Sequence, residues 1–431
     1  MSELGRTAEE AAALALAVPP AQGATMRGVP FEPREIVRVG FIGVGGRGHW
    51  QLREMLSVEG AQITVISDPV EANALRAQKR VEEAGRPSPA IEPDWRKLCE
   101  RDDVDLVYIC SRWDDHVPQS VYAMECGKHA AVEVPAATTL ADCWRLVDTS
   151  ERTRRHGIML ENCCYGQIEM MVLNMVREGI FGWITHGEAA YIHEMRGGLL
   201  SDRGAGLWRR IPHTKRNGNL YPTHGLGPVA QYMGIHRGDR FTRLVSMSSR
   251  EASMSAYRAA HVPPDSPKHA EVYVCGDMNT SLIQTELGRT IVLQHDVVTP
   301  RPYSRANLIA GTKGTFSDYP PRIFLDKGEA THDLMDIDAH DWSDIDAFLE
   351  RYEHPLWKTQ GELARKLGGH GGMDFIMNYR LIQCMREGLP PDMDVYDAAA
   401  WSAPGPLSEM SVAWGSIPLP FPDFTRGRWK E

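Results

Sequence analysis

The chain has 431 residues, of which 42% are hydrophobic and 24% charged, and a formal net charge of −10. That length predicts two domains, or one with a large addition. The acidic balance argues against a nucleic-acid role, because phosphate contacts need clustered Lys and Arg, and no apolar run is long enough for a membrane span. Eight cysteines, two of them adjacent at Cys163-Cys164, form no CxxC pattern. They read as buried or free thiols in a reducing, cytoplasmic compartment.

Residues 9–16 are rich in Ala and Leu but follow acids instead of a basic cluster. They make a poor signal peptide and a reasonable amphipathic arm before the Pro-containing linker 18–33. An export leader lost from the sequence as given is the other reading. We therefore assign 1–35 to an N-terminal arm.

The organising stretch is VGFIGVGGRGHWQL, residues 39–52. An apolar strand at 37–42 runs into Gly43, Gly45, Gly46, Arg47 and Gly48, and a helical pattern starts at His49. Three spaced glycines serve a tight turn (Gly43), close approach to a pyrophosphate (Gly45) and helix–strand packing (Gly48). The following helix N-terminus presents unpaired N–H groups to phosphate. The next apolar run, 63–67, ends at Asp68, about 20 residues past the last glycine, where an acid grips the adenosine ribose. An acid there repels a 2′-phosphate, which favours NAD over NADP.

Further strands are predicted at 104–110, 128–133 and 157–162. Helices are predicted from Asp68 to about residue 84, at 118–126 and at 140–155. This alternation predicts a parallel sheet across a Rossmann domain at 36–165, with ligands at the strands' carboxyl ends. Loops 111–116, 134–138 and 163–165 then converge on the nicotinamide end. The pattern changes after Tyr165. A helix at 168–178 precedes strand-like runs at 184–191, 244–248, 272–275, 280–286, 290–295 and 308–310. Two C-terminal helices follow, at 343–351 and 373–387. The expected architecture is α/β: the Rossmann domain plus an α+β domain at 166–431, with a largely antiparallel open sheet.

Strand-GxGxxG-helix, Asp68 and the segment Gly127-Lys128-His129-Ala130-Ala131-Val132-Glu133-Val134-Pro135 resemble the glucose–fructose oxidoreductase/inositol dehydrogenase superfamily. Its ordinary dehydrogenases carry Glu-Lys-Pro in the last motif, and the lysine assists hydride transfer. Here Val134 stands at the lysine position. A longer resemblance spans nearly all of the chain after the first 35 residues or so. Glu161-Asn162-Cys163-Cys164-Tyr165, Tyr221-Pro222-Thr223-His224-Gly225-Leu226-Gly227-Pro228, Arg301-Pro302-Tyr303-Ser304-Arg305, Gly369-His370-Gly371-Gly372-Met373-Asp374 and the segment around Trp401 are similar to glycoside hydrolase family 109. That family comprises NAD-dependent α-N-acetylgalactosaminidases.

The resemblance implies a glycosidase with NAD as a recycled cofactor. The sugar is oxidised at C3, which acidifies the C2 proton. Loss of that proton expels the C1 aglycone, water adds at C1, and C3 is finally reduced. Such chemistry needs proton carriers and not the paired carboxylates of ordinary glycosidases. His224, on a Pro- and Gly-punctuated loop, is assigned to the C3 hydroxyl, for which imidazole titrates in the right range. Tyr165 is assigned to the C2 proton, a task that requires a lowered phenol pKa. Glu133 is placed near nicotinamide and sugar. Arg209, Tyr221, Tyr303 and His370 are carried over as substrate contacts, while Trp113 and His116 line the dinucleotide. His186, His193, Glu194, His295 and Asp296 offer metal-ligand types without metal-site spacing, so no metal is expected. The implied partners are a small glycoside or glycan terminus and a second copy of the chain against the open sheet. A net NAD-dependent sugar dehydrogenase, or a glycosidase accepting both α- and β-linked sugars, is the competing reading.

Overall fold

The computed structural model describes residues 7–326 and 340–431. The first six residues of the expected arm, and residues 327–339 of the expected second domain, lie outside them. Two compact units emerge, and their boundaries differ from the three sequential segments expected. The Rossmann unit takes Pro19–Tyr165 together with Thr359–Ala403. The open-sheet unit takes Met1–Val18, Gly166–Lys358 and Pro404–Glu431.

In the Rossmann unit, β1 (Val37–Ile42), β2 (Ala61–Ser67), β3 (Ala90–Ile91), β4 (Leu106–Ile109), β5 (His129–Val132) and β6 (Gly157–Met159) form one sheet of order β3-β2-β1-β4-β5-β6. Every pairing in it is parallel. The core strands are apolar throughout, as strands covered on both faces must be; all four residues of β4 and of β5 are buried. The helix expected at 118–126 starts earlier, at Trp113, and runs to Glu125. Asp114 and Asp115 favour that early start, because acids in a first turn complement the helix dipole.

The reassignment of the C-terminal segment has a packing cause. Helix Met373–Glu387 buries Phe375, Ile376, Met377, Leu381, Ile382 and Met385, and it packs on the helix Arg47–Met55 that follows the glycine turn. Helix Val395–Ser402 packs on Leu140–Thr153 and on β6. The linker behaves likewise: Phe31 lies against His129 and His156, at ring-centroid distances of 4.9 and 4.3 Å.

The open-sheet unit holds β7 (Ile184–Ile192), β8 (Phe241–Ser248), β9 (Asn279–Thr285), β10 (Thr290–Asp296), β11 (Leu308–Gly311), β12 (Gly314–Ser317), β13 (Arg322–Leu325) and β14 (Leu419–Pro420). Their order is β13-β12-β11-β7-β10-β9-β8-β14, antiparallel except for the β7–β10 pair. The arm contributes helix Ala8–Leu16, closed by a Thr7 capping box and packed on β14. The run at 272–275 alternates as expected, with Tyr273 and Cys275 buried and Val272 exposed. It joins no ladder, because Val274 and Cys275 donate to the His213 carbonyl instead. Among the described residues, no helix is long and apolar enough to cross a membrane.

Candidate functional site

The glycine turn has the shape a dinucleotide needs. Gly43 sits at φ +83°, and a Cβ there would meet the Cys110 carbonyl oxygen at 2.8 Å. A Cβ on Gly48 would fall 1.8 Å from the Gly43 oxygen, so the helix enters as close to the turn as backbone allows. Gly46, the N-cap, has open space where a side chain would stand and lends no side-chain cap to the helix amides. Asp68, buried at the end of β2, accepts from Val44 N (2.8 Å), Val70 N (2.9 Å) and Asn73 Nδ2 (3.1 Å). A carboxylate accepts about four hydrogen bonds, which leaves capacity for a ribose hydroxyl. These residues fit NAD.

The structure gives several predicted residues other tasks. Trp113 and His116 lie on the first turns of a helix and not in a loop, and both are buried. His116 has both ring nitrogens engaged, with Nδ1 2.8 Å from the Pro135 oxygen and Nε2 3.2 Å from the Ser111 oxygen, so it ties two strand-end loops together. Burial lowers its pKa. Arg47 points its guanidinium at protein carboxylates: Nε donates to Glu133 (2.8 Å), and the two terminal nitrogens donate to Asp374 (2.7 Å each). His370 Nδ1 lies 2.7 Å from Asp374 Oδ2, so this ring belongs to the same Rossmann-unit cluster. Tyr165 ends a short 3₁₀ turn with its hydroxyl donating to Asp392 at 3.2 Å. Burial raises its pKa well above the usual phenol value, the direction opposite to that required for phenolate chemistry.

The open-sheet unit assembles a second group. Its "loop" at 221–228 is the start of helix Thr223–Tyr232, with Pro222 at the N-cap and His224 in the first turn. Gly225 permits this placement, since a Cβ would sit 2.3 Å from the Ala190 amide nitrogen on β7. His224 Nε2 lies 3.4 Å from the Tyr221 hydroxyl. The Arg209 guanidinium stands over the Tyr221 ring at 4.5 Å and the Tyr191 ring at 5.7 Å. Tyr191 is the hub, with ring centroids 4.6 Å from Tyr221, 5.4 Å from His224 and 6.2 Å from Tyr303. Its hydroxyl lies 2.9 Å from His193 Nδ1. Behind the group, burial followed by the Arg209 charge brings the His213 pKa down to about 4. His295 is held low by burial, then by His213 and Arg209.

Tyr191, His193 and Asp374 are the residues that sequence reasoning missed as site members. The signal for the first two was strand alternation, which carries Tyr191 on one face of β7 and leads to His193 one residue past its end. Asp374 was quoted in the Gly-His-Gly-Gly segment without a partner to reveal its task.

A glycine turn with a ribose acid on a parallel sheet defines an NAD-binding Rossmann domain. Residues 37–160 match the model described as "Oxidoreductase family, NAD-binding Rossmann fold". Residues 165–431 match "Glycosyl hydrolase 109, C-terminal domain", and the chain belongs to glycosyl hydrolase family 109. A family 109 protein from Solibacter usitatus is 57% identical over 412 residues, covering 94% of this chain and 92% of the relative. One from Streptomyces filamentosus is 49% identical over 438 residues, covering 100% of this chain and 86% of the relative. The fold is also that of a levoglucosan dehydrogenase solved with NADH, with a TM-score of 0.68 at 17% identity, covering 90% of this chain and 99% of that one. An NAD-binding oxidoreductase from Klebsiella pneumoniae has a TM-score of 0.67 at 15% identity, with 90% and 100% covered.

Proposed function

We propose that this enzyme hydrolyses α-linked N-acetylgalactosaminides by oxidation at C3, elimination, hydration and re-reduction. The carrying observation is the composition of the open-sheet group. Tyr221, Tyr303, His193, His224 and Arg209 gather around Tyr191, with His224 beside the Tyr221 hydroxyl. These are carriers of single protons and donors to sugar oxygens, the equipment of elimination chemistry. When bound, NAD supplies a reversible hydride acceptor for C3.

The side chains then divide the remaining work. His224 takes the C3 hydroxyl proton during oxidation and returns it at the end. Tyr191, with the His193 imidazole at its hydroxyl, takes the C2 proton. It replaces Tyr165, whose phenol is kept neutral by burial. The C2 electron pair forms the C2–C1 double bond as the aglycone leaves with its oxygen. Water adds at C1 and C2 regains a proton, so atoms and electrons balance with no net oxidation. Arg209 and Tyr303 hold sugar oxygens or the acetamido carbonyl. Val134 in place of the superfamily lysine disfavours a simple dehydrogenase. The outward sheet face, where Met247 and Leu282 are exposed, supports self-association as part of this reading.

The test is aglycone release from an aryl α-N-acetylgalactosaminide in D₂O, using only the cofactor that co-purifies. Release with deuterium at C2 and no accumulating NADH is expected. Steady NADH growth without release would establish a dehydrogenase instead, and release without C2 deuterium would remove the elimination route.

A further inference from the structure

Glu133, at the end of β5, is bonded asymmetrically. Arg47 Nε (2.8 Å) and Gln51 Nε2 (3.1 Å) both donate to its Oε1. Among the described residues, Oε2 accepts no hydrogen bond, although the side chain is largely buried. Oε2 is not one of the buried atoms left without a partner, so it is the open oxygen of an otherwise enclosed carboxylate and keeps its acceptor positions for a ligand.

The two donors are themselves held from the C-terminal return segment. Asp374 receives both terminal nitrogens of Arg47, the Asn162 amide at 2.8 Å and the His370 ring. Asn378, one turn further along the same helix, donates to Gln51 Oε1 at 2.8 Å and accepts from the Tyr108 hydroxyl at 2.8 Å. Arg47 and Gln51 lie four residues apart on one face of the glycine-turn helix. Residues 374 and 378 have the same spacing on Met373–Glu387. Two facing i,i+4 pairs thus form a clamp. The arginine fork spans two carboxylates, a geometry a lysine does not reproduce.

We propose that Asp374 is a positioning residue which, through Arg47, fixes Glu133 so that Oε2 is presented as an acceptor to a neutral hydrogen-bond donor of the bound ligands. That donor is either the carboxamide N–H of the nicotinamide or a sugar hydroxyl. The inference rests on the NAD-binding character of this unit, and only its sugar arm rests on the glycosidase reading.

The experiment compares NAD⁺ and ADP-ribose, which lacks the nicotinamide, by calorimetry on the full chain. For Asp374→Asn we expect the NAD⁺ Kd to rise roughly tenfold or more, the size of one lost charge-assisted hydrogen bond, while the ADP-ribose Kd stays within about twofold. Glu133→Gln should give the same signature, and adding Asp374→Asn to it should change little further. Asp374→Glu should restore part of the affinity. If the donor is a sugar hydroxyl, both Kd values hold and the KM for the glycoside rises instead. Arg47→Lys provides the same comparison if Asp374→Asn does not fold. Equal weakening of NAD⁺ and ADP-ribose, full additivity of the two substitutions, or no change in Kd and KM would overturn the proposal. Wild-type protein that binds NAD⁺ but releases no aglycone would sink the glycosidase reading while the Kd comparison still decides this one.

Discussion

His224 and Tyr165 are both proton carriers by residue type, and their surroundings separate them. The His224 imidazole stands beside a phenol hydroxyl in a cluster of rings. The Tyr165 phenol is enclosed and donates to Asp392, which is itself paired with Arg380. His224→Ala should therefore keep stoichiometric NAD yet lose about 10²–10⁴ in kcat, the usual share of a general base. Tyr165→Phe should lose only a hydrogen bond worth about 1 kcal/mol and leave kcat within a few-fold. A Tyr165→Phe enzyme without turnover, at unchanged melting temperature, would return the C2 proton to that residue.

Among the elements, five strands of the Rossmann sheet were legible because buried parallel strands are unbroken apolar runs, whereas the two-residue edge strand β3 was not; Asp68 was legible because spacing alone defines it. Helix Thr223–Tyr232 was not, because Pro222, Gly225, Gly227 and Pro228 carry the punctuation of a loop. What overrides that punctuation is tertiary: the helix lies so close on β7 that only glycine fits at 225. Gly225→Ala is predicted to cost more than about 2 kcal/mol and to move His224, since the Ala190 nitrogen and oxygen it would strike, at 2.3 and 2.5 Å, are strand backbone and cannot yield. Urea denaturation measures the cost, and an unchanged midpoint would show that the helix lifts freely. The Arg47–Asp374 pair was illegible for a different reason. Its members stand 327 residues apart, and no local pattern marks a long-range salt bridge.

For the whole molecule, each unit buries histidines in the neutral form. Burial, aided by neighbouring arginines, brings His156 down to about 4 in the Rossmann unit. His213 reaches about 4 in the open-sheet unit. An unfolded histidine takes its proton near pH 6.5, whereas these refuse it until near pH 4. Stability is therefore full above about pH 6.5 and falls as pH drops toward 4, by an amount on the order of 3 kcal/mol per histidine. Asp374 acts in the same direction at lower pH, but from charge and not burial: Arg47 and His370 lower its pKa against burial. Its contribution is present above the unfolded carboxylate value and is lost only in stronger acid. Melting temperature followed from pH 7 to pH 4 should decline through that window. A flat profile would mean that these rings are reached by water.

The interrupted path of the chain also orders events in time. The Rossmann sheet is complete by Tyr165, but the helix bearing Asp374 and Asn378 is not translated until seven of the eight open-sheet strands, all but β14, have been. At the usual elongation rates of about 5–20 residues per second, the completed sheet, with Arg47, Gln51 and Glu133, waits on the order of 10–40 s on the ribosome for those partners. During that interval the nascent sheet carries a nucleotide turn without its clamp. Synthesis of the returning segment Thr359–Ala403 thus acts as the step that commissions the cofactor half.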